Sequence, residues 1–357
     1  MATDLVQFLQ QEIDLGSFPS ASYAIGSLDG IEEEHALGNA VAVPMRIAAT
    51  TDTIYDLASV TKVLVTTILV LQAFAEKRIA LDDEYDGYTY RQLLTHTSGL
   101  KAWLPLYAFD RSYRETIRER GFGGGSTVPR VLGSSGPREE GRTSYARGPE
   151  DPRNRGTPVY SDLNFVLLWY ALEEIFGDYR AAARKRIIEP LGLRDTMFEV
   201  PPSLKPRVAA TEWGQLFETG MCATRSIPFH GFRQGLMWGA PNDGNSFHAG
   251  GTCGNAGLFA TARDTFRIVQ AFARGELVPP SLVREATRAH VEDRGLGWQV
   301  NELGFGHNGF TGTSVFVKND RISVLLTNRV HPCAASIAMS RIRATFHERA
   351  NQPHSRA

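Results

Sequence analysis

Cysteine is scarce: Cys222, Cys253 and Cys333 are the only three among 357 residues. Their wide spacing offers no paired-cysteine metal knuckle and no dense disulfide framework, so a reducing compartment fits better than an oxidising one. A basic start followed by an apolar run is missing too, because Met1-Ala2-Thr3-Asp4-Leu5 leads into acidic Glu12 and Asp14. The expectation is an uncleaved, cytoplasmic protein. The most apolar stretch, Val63 to Phe74, is interrupted by Thr66, Thr67 and Gln72 and bounded by Lys62 and Glu76. It is too short and too polar to span a membrane and reads as a buried helix. Nor is there an excess of either charge: 38 Lys and Arg stand against 39 Asp and Glu, a formal net charge of -1. That balance argues against nucleic acid or a membrane surface as partner.

What is present is the composition of a globular protein, 42% hydrophobic and 22% charged, long enough for a two-part fold with a large core. Leu5, Phe8, Leu9 and Ile13 recur at helical spacing, ahead of two short strands, 21–27 and 32–37, joined through Asp29-Gly30. Near the other end, 296–300, 314–317 and 322–327 read as strands, followed by a helix over 334–348. Between them lie helical segments at 63–76, 90–95, 163–176, 179–188 and 262–274, the last opened by Thr261 and Asp264 in a capping-box arrangement and closed at Gly275. The implied architecture is an α/β fold. An antiparallel sheet is built from both ends of the chain (1–60 plus 245–350) and flanked by helices, with a mainly helical region (61–244) inserted. From about Asp110 to Arg155 the chain is rich in Arg, Gly, Pro and Ser and has little apolar periodicity; a lid over a cleft and an excursion without catalytic role are the two readings.

Chemistry concentrates at three places. Ser59-Val60-Thr61-Lys62 opens the apolar helix, where positions i and i+3 share a face, so the Lys62 amine can stand beside the Ser59 hydroxyl. A partly desolvated lysine can act as the base that a serine nucleophile needs, and the Ser59 N–H at a helix start is free to bind an oxyanion. Alone, the pair reads more readily as a cap and a solvated charge. Tyr160-Ser161-Asp162-Leu163-Asn164 begins another helix, where Tyr160 is either a core aromatic or a partner of Lys62 in proton transfer. Gly306-His307-Asn308-Gly309-Phe310-Thr311-Gly312 precedes a strand. Its glycines let a substrate approach the backbone closely, and the Phe310 N–H can serve as a second oxyanion donor.

In this order, serine-lysine, tyrosine and His-x-Gly resemble the serine β-lactamase and penicillin-binding-protein superfamily, in its class C β-lactamase and family VIII carboxylesterase branch. Phe18-Pro19, Leu93-Leu94-Thr95-His96-Thr97-Ser98-Gly99-Leu100, Glu189-Pro190-Leu191-Gly192-Leu193, Ala256-Gly257-Leu258-Phe259-Ala260-Thr261-Ala262 and Leu325-Leu326-Thr327-Asn328 extend the likeness. The resemblance implies that Ser59 is acylated and that Lys62 and Tyr160 form the acid/base pair. It makes His307 the counterpart of a third-motif lysine, and the Ser59 and Phe310 amides the oxyanion hole. Two departures stand out. Asp162 replaces an asparagine, which adds negative charge that would hold Lys62 protonated. His307-Asn308-Gly309 replaces Lys-Thr-Gly, so a fixed positive charge becomes pH-dependent.

The resulting expectation is a serine hydrolase that cleaves a small-molecule ester or amide without metal or organic cofactor, esters favoured over β-lactams. A D-amino-acid peptidase and a low-turnover sensing module are the alternatives. No sequence feature specifies an oligomeric state. His248 and Cys253 lack further close ligands for zinc and read as loop residues. Asp243 and Asn245 read as turn formers beside the cleft, and His96 as a structural hydrogen bonder to the reversal at Ser98-Gly99.

Overall fold

The computed structural model describes residues 2–121, 156–334 and 339–352. Helix α1 (Ala2–Asp14) leads into the hairpin β1 (Ser20–Ser27) and β2 (Gly30–Val41), followed by the short strands β3 (Ile47–Ala48) and β4 (Tyr55–Asp56). A single 3₁₀ turn (Ala58–Val60) and a π turn (Lys62–Thr66) then run directly into α2 (Thr67–Ala75). The inserted region continues through the small hairpin β5 (Glu84–Tyr85) and β6 (Tyr88–Thr89), α3 (Tyr90–Leu94), α4 (Tyr113–Arg120), α5 (Asp162–Phe176), α6 (Tyr179–Ala183), α7 (Leu216–Thr224) and α8 (Gly244–His248). The chain returns through β7 (Phe259–Ala260), α9 (Ala262–Ala273), α10 (Pro280–Ala286) and the strands β8 (Gln299–Asn301), β9 (Gly304–Asn308), β10 (Ser314–Lys318) and β11 (Arg321–Thr327), and ends on α11 (Met339–Ala350).

The main sheet has seven antiparallel strands in the order β3-β2-β1-β11-β10-β9-β8, so N- and C-terminal segments meet where β1 pairs with β11 from Ala21↔Thr327 to Ser27↔Arg321. Alternation along β1 explains why both faces are covered. Tyr23 and Ile25 point with Leu325 into a cluster with Leu5, Leu9, Ile342 and Phe346 of the terminal helices. Ala24, Val324 and Leu326 face the larger core with α2, α5 and α9. Helix α2 is apolar on every side, from Ile68 to Leu71, and is buried on every side, as such a helix must be.

Three local expectations need correction. The segment from Asp110 is helical over Tyr113–Arg120, with Ser112 and Glu115 closing a capping box; polar composition masked it because only Thr116 and Ile117 are buried. Residues 122–155, and with them the lid reading, lie outside the described residues. The stretch 304–308 is itself a strand, paired with β10 through His307↔Val315. At α9, Thr261 caps the Asp264 N–H, but the Asp264 carboxylate turns instead to Asp195 N–H (2.9 Å) and Thr196 Oγ1 (3.0 Å).

Candidate active site

The 3₁₀ turn runs through Thr61 straight into the π turn that Lys62 opens, so the chain stays helical from Ser59 to Lys62 and keeps i and i+3 on one face. Lys62 Nζ lies 2.8 Å from Ser59 Oγ. The turn's ladder begins at Val60 N–H to Leu57 O, which leaves Ser59 N–H outside it. Just before the nucleophile, Ala58 sits at φ +46°, a left-handed conformation that costs a non-glycine residue about 1 kcal/mol or more. Asp56 holds it there, accepting from Ala58 N–H (2.9 Å) and Asn242 N–H (2.7 Å). Burial pushes the Asp56 carboxyl up to about 6.

Lys62 is fully buried. Burial alone would push its amine down, but the Asp162 carboxylate, 2.7 Å away, overrides this and holds it well above the ordinary lysine range. Asn255 O accepts a further bond at 2.9 Å, and Tyr160 bonds both Lys62 and Ser59. Burial, only partly offset by Lys62, raises the Tyr160 phenol, so it stays protonated. Tyr160 and Asp162 are aimed by their flanks: Ser161 N–H donates to His96 Nδ1 (3.0 Å), Ser161 Oγ to Lys101 O (2.6 Å) and Asp162 N–H to Ala102 O (2.9 Å). His96 therefore braces the tyrosine motif, bonding Asn164 as well (3.1 Å), rather than the reversal at Ser98-Gly99. Asp162 opens α5, where the helix dipole favours its negative charge.

The third motif reaches the same place. Thr311 Oγ1 donates to Asp56 O (2.7 Å) and Thr313 Oγ1 to Leu57 O (2.9 Å). A Cβ on Gly309 would stand 2.5 Å from Leu57 O, so only glycine lets β9 close on the nucleophile turn. Phe310 and Ser59 line one cleft with Ala58, Trp103, Asp162 and Ala256. His307 differs from expectation. Burial, then Lys62 and Arg294, push its imidazole well below the ordinary value, so it stands neutral beside Tyr160 (ring centroids 5.9 Å apart) and offers no pH-dependent cation near neutrality. The Asn308 side chain is occupied with Ser314 Oγ (2.8 Å).

The opposite wall carries Glu212, Glu218, Asn242 and Asp243, with Phe217 and Met221. Asp243 both caps α8 and lines the cleft, whereas Asn245 is buried as a tether of Leu104 and Leu106. His248 stacks on Tyr107 (4.7 Å) and Cys253 is buried; among the described residues no group of three or more His, Cys, Asp or Glu could hold a metal ion. Asp56, Glu212, Glu218 and Arg294 are site neighbours that sequence reasoning missed. Of these only Asp56 left a signal, an acidic residue two positions before a helix-opening alanine, the pattern of an Asx turn.

A family model described as Beta-lactamase matches residues 8–345. The chain belongs to that family. Among curated proteins it is 27% identical, over 91% of its length and 81% of the relative's, to an Escherichia coli (strain K12) protein named "Putative D-alanyl-D-alanine carboxypeptidase". Among solved structures, simvastatin synthase from Aspergillus terreus superposes with TM-score 0.68 at 15% identity, covering 99% of both chains. D-amino acid amidase from Ochrobactrum anthropi SV3 gives 0.63 at 18%, covering 97% of this chain and 98% of that one. Those two likenesses show the fold, a β-lactamase-like α/β arrangement; family membership makes the chain a serine hydrolase by family.

Proposed function

We propose that the chain hydrolyses a small ester or amide through an acyl-enzyme on Ser59. The observation that carries this is the buried Ser59–Lys62 pair, 2.8 Å apart, at a cleft shared with the Phe310 backbone. In its neutral form the Lys62 amine takes the Ser59 proton as Oγ bonds to the carbonyl carbon. The Ser59 and Phe310 N–H groups receive the negative oxygen, and Tyr160 passes a proton to the leaving group as the C–N or C–O bond breaks. Water then repeats the sequence in reverse to free Ser59.

The cleft wall supports a substrate without a carboxylate near the scissile bond. Of its charged lining side chains, Asp162 is paired with Lys62, and Glu212, Glu218 and Asp243 are acidic with no cation beside them in the lining among the described residues. With His307 held neutral, a carboxylate loses a charge-assisted hydrogen bond worth about 1.5–3 kcal/mol and meets repulsion. A peptide amide is the second reading, favoured by the name of the curated relative. The test is nitrocefin, p-nitrophenyl butyrate and a D-Ala-D-Ala peptide on one preparation. We expect the ester to exceed nitrocefin by at least about 10² in kcat/KM, with a mass adduct on Ser59. Comparable efficiencies, or a peptide preference, would overturn the ester reading; turnover undiminished in Ser59→Ala would overturn the site itself.

A further inference from the structure

We propose that Arg343 is a positioning residue for the oxyanion site, acting through the Gly309–Phe310 peptide group; the proposal rests on the reading of Ser59 as the acylated nucleophile. From α11, Arg343 Nη2 donates to Gly309 O at 2.6 Å and to Thr313 O at 3.1 Å. The Gly309 carbonyl and the Phe310 N–H belong to one peptide unit. That unit is trans, since the cis bonds of the described residues are Val43-Pro44 and His331-Pro332, so carbonyl and N–H point in opposite directions. Helix α11 packs with α1 on the face of the sheet that carries Tyr23 and Leu325, while the nucleophile turn packs against the end of β9 with the larger core. Pinning the carbonyl toward α11 therefore turns the N–H away from α11 and toward the Ser59 side.

The second effect is electronic. A guanidinium is always charged, and a charged donor on a carbonyl draws electron density to the oxygen, leaving the N–H of the same amide a stronger donor. The other donor to Gly309 O, Gly312 N–H at 3.1 Å, is neutral and longer. The Arg343 charge is felt inside the site, where it is among the cations that keep His307 neutral. The same helix fastens the preceding residue: His347 Nε2 meets Ser314 Oγ at 2.6 Å, and that hydroxyl holds Asn308 Oδ1 at 2.8 Å. Helix α11 thus fixes the motif at Asn308 and at Gly309.

The test uses p-nitrophenyl butyrate turnover and inhibition by phenylboronic acid, which adds to a serine oxygen as a tetrahedral anion and places one oxygen where the oxyanion sits. Arg343→Ala is expected to lower kcat/KM about tenfold and to weaken phenylboronic acid by a similar factor. Arg343→Lys, which keeps the charge and protects against misfolding of the alanine variant, should recover most of both. Arg341→Ala, two residues away on the same helix and paired with Glu12, should change neither. Boronate affinity unchanged in folded Arg343→Ala, or Arg343→Lys no better than alanine, would overturn the proposal. Boronate binding wild type and Ser59→Ala equally would instead overturn the reading of Ser59.

Discussion

The two walls of the cleft hold buried ionisable groups by opposite means. On the Ser59 side, Lys62 and Asp162 lie 2.7 Å apart as an ion pair, and each offsets the cost of burying the other. On the far side carboxyl groups rely on neutral donors. Glu218 accepts from Tyr107 OH (2.5 Å), Gln215 Nε2 (2.7 Å) and Gly244 N–H (2.8 Å), and Glu212 accepts from Phe217 N–H (2.8 Å). The guanidinium on that side, Arg233, gives its bonds to Gln215 Oε1, Pro241 O and Asn242 O. Neutral donors fix where a carboxyl sits but do not repay its desolvation in full, so Glu218 is pushed up to about 7, by burial first and by the Asp243 charge second. One wall pairs opposite charges, and the other holds a carboxyl that changes its charge near neutrality.

Breaking the ion pair should give the largest effect. Lys62→Met removes the base and leaves Asp162 buried without its cation, which costs about 3–5 kcal/mol of stability and lowers kcat/KM by about 10² or more. Adding Asp162→Asn should restore most of the stability and none of the activity. Chemical denaturation and ester turnover on the two variants check this; stability that stays low in the double variant would mean that Lys62 packs rather than pairs.

That contrast also marks how much the sequence discloses. Ser59 and Lys62 were legible because a three-residue spacing survives in any helical turn, and Asp162 because it departs from a motif three residues long. The sheet was legible from the short apolar runs at 21–27 and 322–327. Strand β9 was not, since Gly304 and Gly306 remove the side chains that would show a two-residue period. Glu212 and Glu218 were invisible for a physical reason: a buried carboxyl and a solvated one are the same letter, and only the convergence of Gln215, Tyr107 and Gly244 distinguishes them. The ties of α11 to Gly309 and Asn308 are likewise contacts across more than thirty residues.

The second effect sharpens the comparison through stability against pH. Glu218 titrates near 4.5 when exposed and at about 7 in the fold, so the folded chain binds its proton more tightly. Its contribution is fully present below about 4.5 and is lost as pH rises through about 7. Between pH 5 and pH 8 that amounts to about 2 kcal/mol. Glu218→Gln should remove this component whatever it does to absolute stability, because an amide does not titrate, so stability at pH 8 relative to pH 5 should rise by about 2 kcal/mol against the wild type. Denaturation midpoints at pH 5 and pH 8 read it, and an identical slope in the variant would place the titrating group elsewhere.

The smallest effect comes from loosening the ion pair without removing the base. In Asp162→Asn the charge that holds the Lys62 amine up is gone, while the burial that pushes it down remains. The amine is then neutral over a wider range, so the acid limb of kcat/KM moves to lower pH. Because Asn can donate as well as accept, Lys62 keeps a hydrogen-bonding neighbour and Ser59 keeps its partner. Activity at pH 6 should rise about tenfold relative to activity at pH 9, with little change in the ester's KM. The same variant should narrow the gap between ester and nitrocefin, since one of the cleft's negative charges has been removed while the other wall is intact. A pH profile that does not move would mean that the amine titrating in catalysis is not governed by Asp162, despite the 2.7 Å between them, and the base would have to be sought in Tyr160.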